Sequence, residues 1–202
     1  MIKVTLDRIF AFLGLCLFSP VLLLVALLIW IERPDQPVLF RQARVGKDGK
    51  LFNIIKFRTM ESGAKGGTVS VAGDARITPL GSWLRRFKLD ELPELWNVLV
   101  GEMSFVGPRP DVPGYADQLE GEDREILRLR PGITGPASLK YRNEEVLLAS
   151  VDDPQRYNDE ILFPDKVRIN RYYLRHASLW TDVKLVLATV FRQHLSYGGE
   201  MI

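Results

Sequence analysis

Two adjacent carboxylates, Asp90 and Glu91, lie between a cationic stretch, Arg85-Arg86-Phe87-Lys88, and Pro93, a residue suited to the first turn of a helix. Helix starts present free amides and the positive end of the macrodipole, so anions are favoured there. A carboxylate so placed can act as nucleophile, acid, base or metal ligand. It can equally be ordinary dipole compensation, and the pair alone does not separate the two readings. Two further segments hold an arginine in a stiff turn: Arg109 in Gly107-Pro108-Arg109-Pro110 and Arg130 in Arg130-Pro131-Gly132-Ile133-Thr134-Gly135. A rigidly held guanidinium can grip two phosphate oxygens at once. The chain has only two histidines, His176 and His194, and one cysteine, Cys16. A Ser-His-Asp triad, a multi-histidine metal centre, a cysteine-rich zinc site and a disulfide framework therefore lack material. Carboxylates must carry any acid, base or nucleophilic work.

The elements that position these residues begin at a membrane. From Ile9 to Ile31, 23 residues carry no charge, a helical length of about 35 Å against a hydrocarbon core of roughly 30 Å. A cleaved signal peptide fits poorly, because the apolar run is long and Glu32-Arg33-Pro34 follows it without a small-residue cleavage site. Ser19-Pro20 lies near the middle, where proline removes a backbone donor and commonly kinks a helix. Two topologies remain open on these residues: a kinked helix that crosses, and one that bends at Ser19-Pro20 and returns to the same face. Cations precede the run at Lys3 and Arg8 and follow it at Arg33, Arg41, Arg44, Lys47 and Lys50, so both flanks read as cytoplasmic.

Beyond the membrane segment (1–33), residues 34–202 read as one catalytic domain. Val38 to Met60 reads as two extended runs around Lys47-Asp48-Gly49-Lys50, a hairpin turn. Glu61 to Ala75, with four glycines, reads as a loop. Thr78-Pro79 caps an amphipathic helix carrying Leu80, Trp83, Leu84 and Phe87, and a second short helix starts at Asp90 to Pro93 and stops at Gly101. Glu122 to Arg130 has a helical pattern, Ile133 to Pro136 reads as a turn, and Asp165 to His176 and Ser178 to Leu195 are helical. The apolar residues of these last two helices suit a core or a bilayer surface equally. The fold class expected is mainly α with a small β-hairpin element, α+β. With 27 cationic and 25 acidic residues the net charge is +2, too balanced for a dedicated nucleic-acid binder.

Taken in order, Lys56-Phe57-Arg58-Thr59-Met60, Leu89-Asp90-Glu91-Leu92-Pro93-Glu94-Leu95-Trp96-Asn97-Val98-Leu99, Gly101 to Pro110 and Arg130 to Gly135 closely resemble the bacterial sugar transferase family, the monotopic polyprenyl-phosphate phosphoglycosyl transferases. The resemblance implies that Asp90 is a nucleophile and Glu91 its acidic neighbour, in a ping-pong transfer of sugar-1-phosphate from a UDP-sugar to a polyprenyl phosphate such as undecaprenyl phosphate, with UMP released. It also implies Mg2+, for which Glu91 is the candidate ligand with proton handling as the rival role, and phosphate contacts from Lys56, Arg85, Arg109 and Arg130. It further implies a re-entrant helix broken at Ser19-Pro20, a site facing membrane lipid on the cytoplasmic side of the bacterial inner membrane, and a first step in polysaccharide or glycoprotein glycan assembly. Asp182 matches a family position, though a helix-start acid explains it structurally. Residues 136–164 depart from the common family pattern, which leaves donor choice and any homodimer contact open. Two competing readings stay in play: a conventional glycosyltransferase releasing UDP, and a non-catalytic membrane scaffold whose basic residues bind headgroups.

Overall fold

In the computed structural model, which describes residues 2–61 and 73–202, the apolar N-terminal run is a single helix, α1 (Ile2–Glu32), with Pro20 inside it. Proline has no N–H for the carbonyl four residues back, which is that of Cys16. The Ser19 hydroxyl donates to that carbonyl at 2.8 Å instead, and α1 runs through Ser19-Pro20 as one helix. Among the described residues α1 is the one helix long and apolar enough to cross a membrane, and Leu17, Leu23 and Ile31 are among its many exposed side chains. The chain divides into two compact units.

The first unit takes in the described residues of Met1–Ala43, Asn53–Thr68 and Gly73–Gly101. Strands β1 (Leu39–Val45) and β2 (Leu51–Phe57) pair in a two-stranded sheet, as the extended pattern predicts. The turn between them, Lys47–Gly49, uses left-handed backbone at Asp48 and Gly49. The loop expected over Glu61 to Ala75 lies mostly outside the described residues. Helix α2 (Pro79–Arg86) starts where the sequence predicts: the Thr78 hydroxyl accepts from the Gly81 amide at 2.9 Å and Pro79 occupies the first turn. Helix α3 (Glu94–Val100) stops at Gly101, whose φ of 90° is left-handed. There Arg8 donates to the Val100 carbonyl at 3.2 Å, a cation at the negative end of the helix. Val25 and Ile29 of α1, Phe57 of β2 and Leu84 of α2 form the core.

The second unit takes in Arg44–Phe52 and Glu102–Ile202 among the described residues. Here β3 (Ser104–Val106) and β4 (Gly132–Thr134) form a parallel pair, with Ser104 beside Gly132 and Val106 beside Thr134. Ile133-Thr134, expected in a turn, is therefore strand. Three residues carry no readable period, and a parallel partner is distant in sequence. The glycines make the approach possible: a Cβ on Gly107 would strike the Arg130 carbonyl, and one on Gly132 or Gly135 would strike Gly107. Short helices α4 (Pro136–Lys140), α5 (Glu144–Ala149) and α6 (Pro154–Tyr157) follow, then α7 (Phe163–His176) and α8 (Leu179–Val190). α8 ends before the expected Leu195, because the chain turns at Arg192, whose φ is 53°, and leads into the hairpin β5 (Ser196–Tyr197) and β6 (Glu200–Met201). Val106, Leu139, Tyr173, Leu185, Ala188 and Ile202 form the core of this unit. The described chain is mainly helical with small sheets, as expected.

Candidate active site

After α2 the chain reverses at Lys88, a non-glycine residue held in left-handed backbone at φ 57°. That conformation costs roughly 1–2 kcal/mol and delivers Leu89–Glu91 as a 3-10 turn in which Asp90 and Glu91 are both buried. Asp90 is only 7% exposed, and its Oδ1 is buried without a hydrogen-bond partner among the described residues. Burial first, and then the charge of Glu91, push its carboxyl above the ordinary aspartate range, while Lys56, Lys88 and Arg85 pull it down. A desolvated carboxylate in the field of three cations is arranged to meet an incoming phosphate.

Lys56 reaches this turn from β2. Its Nζ lies 2.9 Å from Glu91 Oε1 and 3.0 Å from Glu94 Oε1, so its ammonium is shared by two carboxylates. Arg85, from the last turn of α2, donates through Nε to Thr59 Oγ1 at 3.1 Å. Asn97, fully buried on α3, fixes β2 against that helix: its Nδ2 donates to the Asn53 carbonyl at 2.8 Å and its Oδ1 accepts from the Ile55 amide at 3.1 Å. The strand edge is thereby satisfied by a side chain, and the residue after Ile55 is delivered to Glu94. Arg58, in the same motif as Lys56, donates to the carbonyls of Pro37 at 2.7 Å and Ile29 at 3.3 Å, tying down the end of α1.

Asp90, Glu91, Lys56 and Arg85 are thus brought together in the first unit. Arg109 and Arg130 belong to the second. Arg109 lines a pocket there with Asp111, Ser138, Glu144, Lys166 and Asn170. Burial pushes the Asp111 carboxyl up to about 6 against the pull of Lys166 and Arg44, and Glu144, itself 2.7 Å from Lys166, adds to the rise. Arg130 sits just before β4, where its own carbonyl abuts Gly107. Asp182 is buried on α8 and accepts from the Tyr173 hydroxyl at 2.5 Å, a tie between α7 and α8. Ser19 and Pro20 lie within α1. Glu94, Asn97 and Thr59 are the contributors that sequence reasoning missed. Glu94 had one signal, its place in Asp-Glu-Leu-Pro-Glu, but it reads as a first-turn acid.

No group of three or more histidine, cysteine or acidic residues preassembled for a metal occurs among the described residues. Mg2+ does not require one, since it commonly takes one or two carboxylates and fills its shell with water and substrate phosphate. Glu91, beside the unpartnered Asp90 oxygen and an excess of carboxylates over Lys56, fits that pattern.

Residues 1–195 match the family model described as bacterial sugar transferase. The chain is 38% identical over 98% of its length to a UDP-N-acetylgalactosamine-undecaprenyl-phosphate N-acetylgalactosaminephosphotransferase of Aeromonas hydrophila, covering 45% of that protein. It is 39% identical to UDP-glucose:undecaprenyl-phosphate glucose-1-phosphate transferases of Escherichia coli and Caulobacter vibrioides, over 92% and 93% of this chain and 39% and 68% of theirs. The chain spans less than half the length of the Aeromonas and Escherichia relatives. On the match across nearly its whole length, the chain belongs to the bacterial sugar transferase family.

Proposed function

We propose that the protein moves a sugar-1-phosphate from a UDP-sugar to a polyprenyl phosphate and releases UMP. The observation that carries this reading is the buried Asp90 carboxylate, with one oxygen unpartnered among the described residues and Lys56, Lys88 and Arg85 around it. An Asp90 oxygen bonds to the β-phosphorus of the donor as the bond from that phosphorus to the bridging oxygen breaks, and UMP departs with the electron pair. The acyl phosphate so formed is then attacked at phosphorus by an oxygen of polyprenyl phosphate, and Asp90 is regenerated as carboxylate. Covalent catalysis lets one site serve a soluble donor and a lipid acceptor in turn. Lys56 and Arg85 offset the charge of the two anions that must meet, and Arg109 and Arg130 are the further candidates for donor phosphate contacts. Glu91 would hold Mg2+ together with diphosphate oxygens, and the bound ion would neutralise charge on the leaving group.

Several contacts support a single-face membrane topology. α1 is tied to the first unit near its start, where Arg8 meets Val100 and Gly14 faces Leu95, and near its end, where the Thr78 hydroxyl donates to Glu32 at 3.2 Å. The elements so tied carry Arg85, Asp90 and Glu91, which hydrocarbon does not accept. Anchored to them at both ends, α1 would bend at Ser19-Pro20 to enter and leave on one face, which the flanking cations make the cytoplasmic face of the inner membrane. The exposed Trp83 on α2 and Phe87 just after it, and Trp180, Val183, Leu187 and Val190 on α8, suit the headgroup boundary.

The test is product analysis in lipid nanodiscs with Mg2+, undecaprenyl phosphate and a panel of UDP-sugars. Acceptor-dependent UMP from one donor, lost in Asp90→Asn, is expected. UDP as the nucleotide product would overturn the mechanism, and function intact in Asp90→Asn would favour a scaffold.

A further inference from the structure

We propose that Glu94 is a positioning residue for the transfer site: it anchors Lys56 beside Asp90, so that Glu91 can change partners during the reaction without releasing the lysine. The inference rests on the function proposed above. Glu94 is the deepest charged group of the cluster, with its side chain 2% exposed against 10% for Glu91 and 16% for Lys56. It is too enclosed to meet a substrate directly, and it reaches the site through its 3.0 Å ion pair with Lys56. A buried carboxylate without a counter-ion is strongly destabilising, so Glu94 has a standing demand for that ammonium. Glu91 holds the same ammonium at 2.9 Å but sits on the turn beside Asp90, where a metal ion, a proton or a phosphate-bound group competes for it. Were Glu91 the only hold on Lys56, engaging Glu91 would set the lysine loose just as the donor phosphates arrive. Asn97 on the same helix fixes the strand that carries Lys56, so backbone and ammonium are both tied to α3.

The experiment uses the full chain in nanodiscs with Glu94→Gln, Lys56→Gln and the double variant, read in two ways. In thermal unfolding, Lys56→Gln removes the ammonium paired with a buried carboxylate and lowers the melting temperature, and adding Glu94→Gln restores part of the loss. Losses that simply add overturn the pairing. In transfer assays Glu94→Gln lowers kcat about tenfold with the donor KM changed less than about threefold, and it costs less than about twofold further in the Lys56→Gln background. A Glu94→Gln protein with the parent kcat, or effects that multiply with Lys56→Gln, overturns the positioning role. A parent chain that transfers from no donor overturns the proposed function and the transfer role of Glu94 with it, while the melting comparison still decides the pairing.

Discussion

Replacing Asp111 by asparagine is expected to stabilise the protein at neutral pH. The carboxyl of Asp111 is pushed from 3.8 to about 6, chiefly by burial, and that value is already net of the pull from Lys166, Arg44 and Arg109 and the push from Glu144. An acid with a raised folded pKa binds its proton more tightly in the folded state. Stability therefore falls as pH rises from about 4 to about 6 and stays lowered above that window. A shift of about two pKa units corresponds to about 3 kcal/mol, the ceiling on what a non-ionising side chain can recover. For a chain of this size, that is a rise in melting temperature of about 6–12 °C. The assay is tryptophan fluorescence during thermal unfolding in nanodiscs, for the parent and Asp111→Asn, from pH 4 to pH 8. The two proteins should melt together near pH 4, diverge between pH 4 and pH 6, and run parallel above. A difference independent of pH, or a variant less stable than the parent at pH 7.5, would refute the reasoning.

Asn97→Leu removes the hydrogen bonds to the Asn53 carbonyl and the Ile55 amide and strands both backbone groups, a loss of about 4 kcal/mol that urea unfolding should register. Gly132→Ala drives a Cβ into the Gly107 backbone, costing about 3 kcal/mol or more, and an unchanged melting temperature would contradict the close approach of the two arginine-bearing loops. Trp180, 66% exposed on α8, should be quenched by brominated lipid, so Trp180→Phe lowers the quenchable fraction of fluorescence; an unchanged fraction contradicts bilayer contact.

Elements whose signals are local were legible in the sequence. Thr78-Pro79 marked the start of α2 with its cap, the turn at Lys47 to Lys50 marked the hairpin, and the long apolar pattern marked α1. The β3 and β4 pair was not, because each strand is three residues long and its partner lies beyond any local window. At Ser19-Pro20 the missing proline donor argues for a bend, and the serine hydroxyl takes the orphaned carbonyl, so that α1 stays one helix across the site. Asp90 and Glu91 stood out through the order of several motifs, since an acid pair at a helix start is commonplace. Glu94 and Asn97 escaped because their work is done against β2: Asn97 reads as a polar residue in a short helix until Asn53, 44 positions earlier, is placed beside it.

The central claim is that Asp90 carries the sugar phosphate between donor and acceptor. It is tested most directly by mixing the nanodisc-embedded protein with its UDP-sugar and Mg2+ in the absence of polyprenyl phosphate, then measuring released UMP and the intact mass of the protein. The account predicts one equivalent of UMP at most and a sugar-phosphate adduct that maps to Asp90, is absent from Asp90→Asn, and disappears when undecaprenyl phosphate is added. No adduct in a preparation that turns over once acceptor is present, or an adduct that persists in Asp90→Asn, would contradict it.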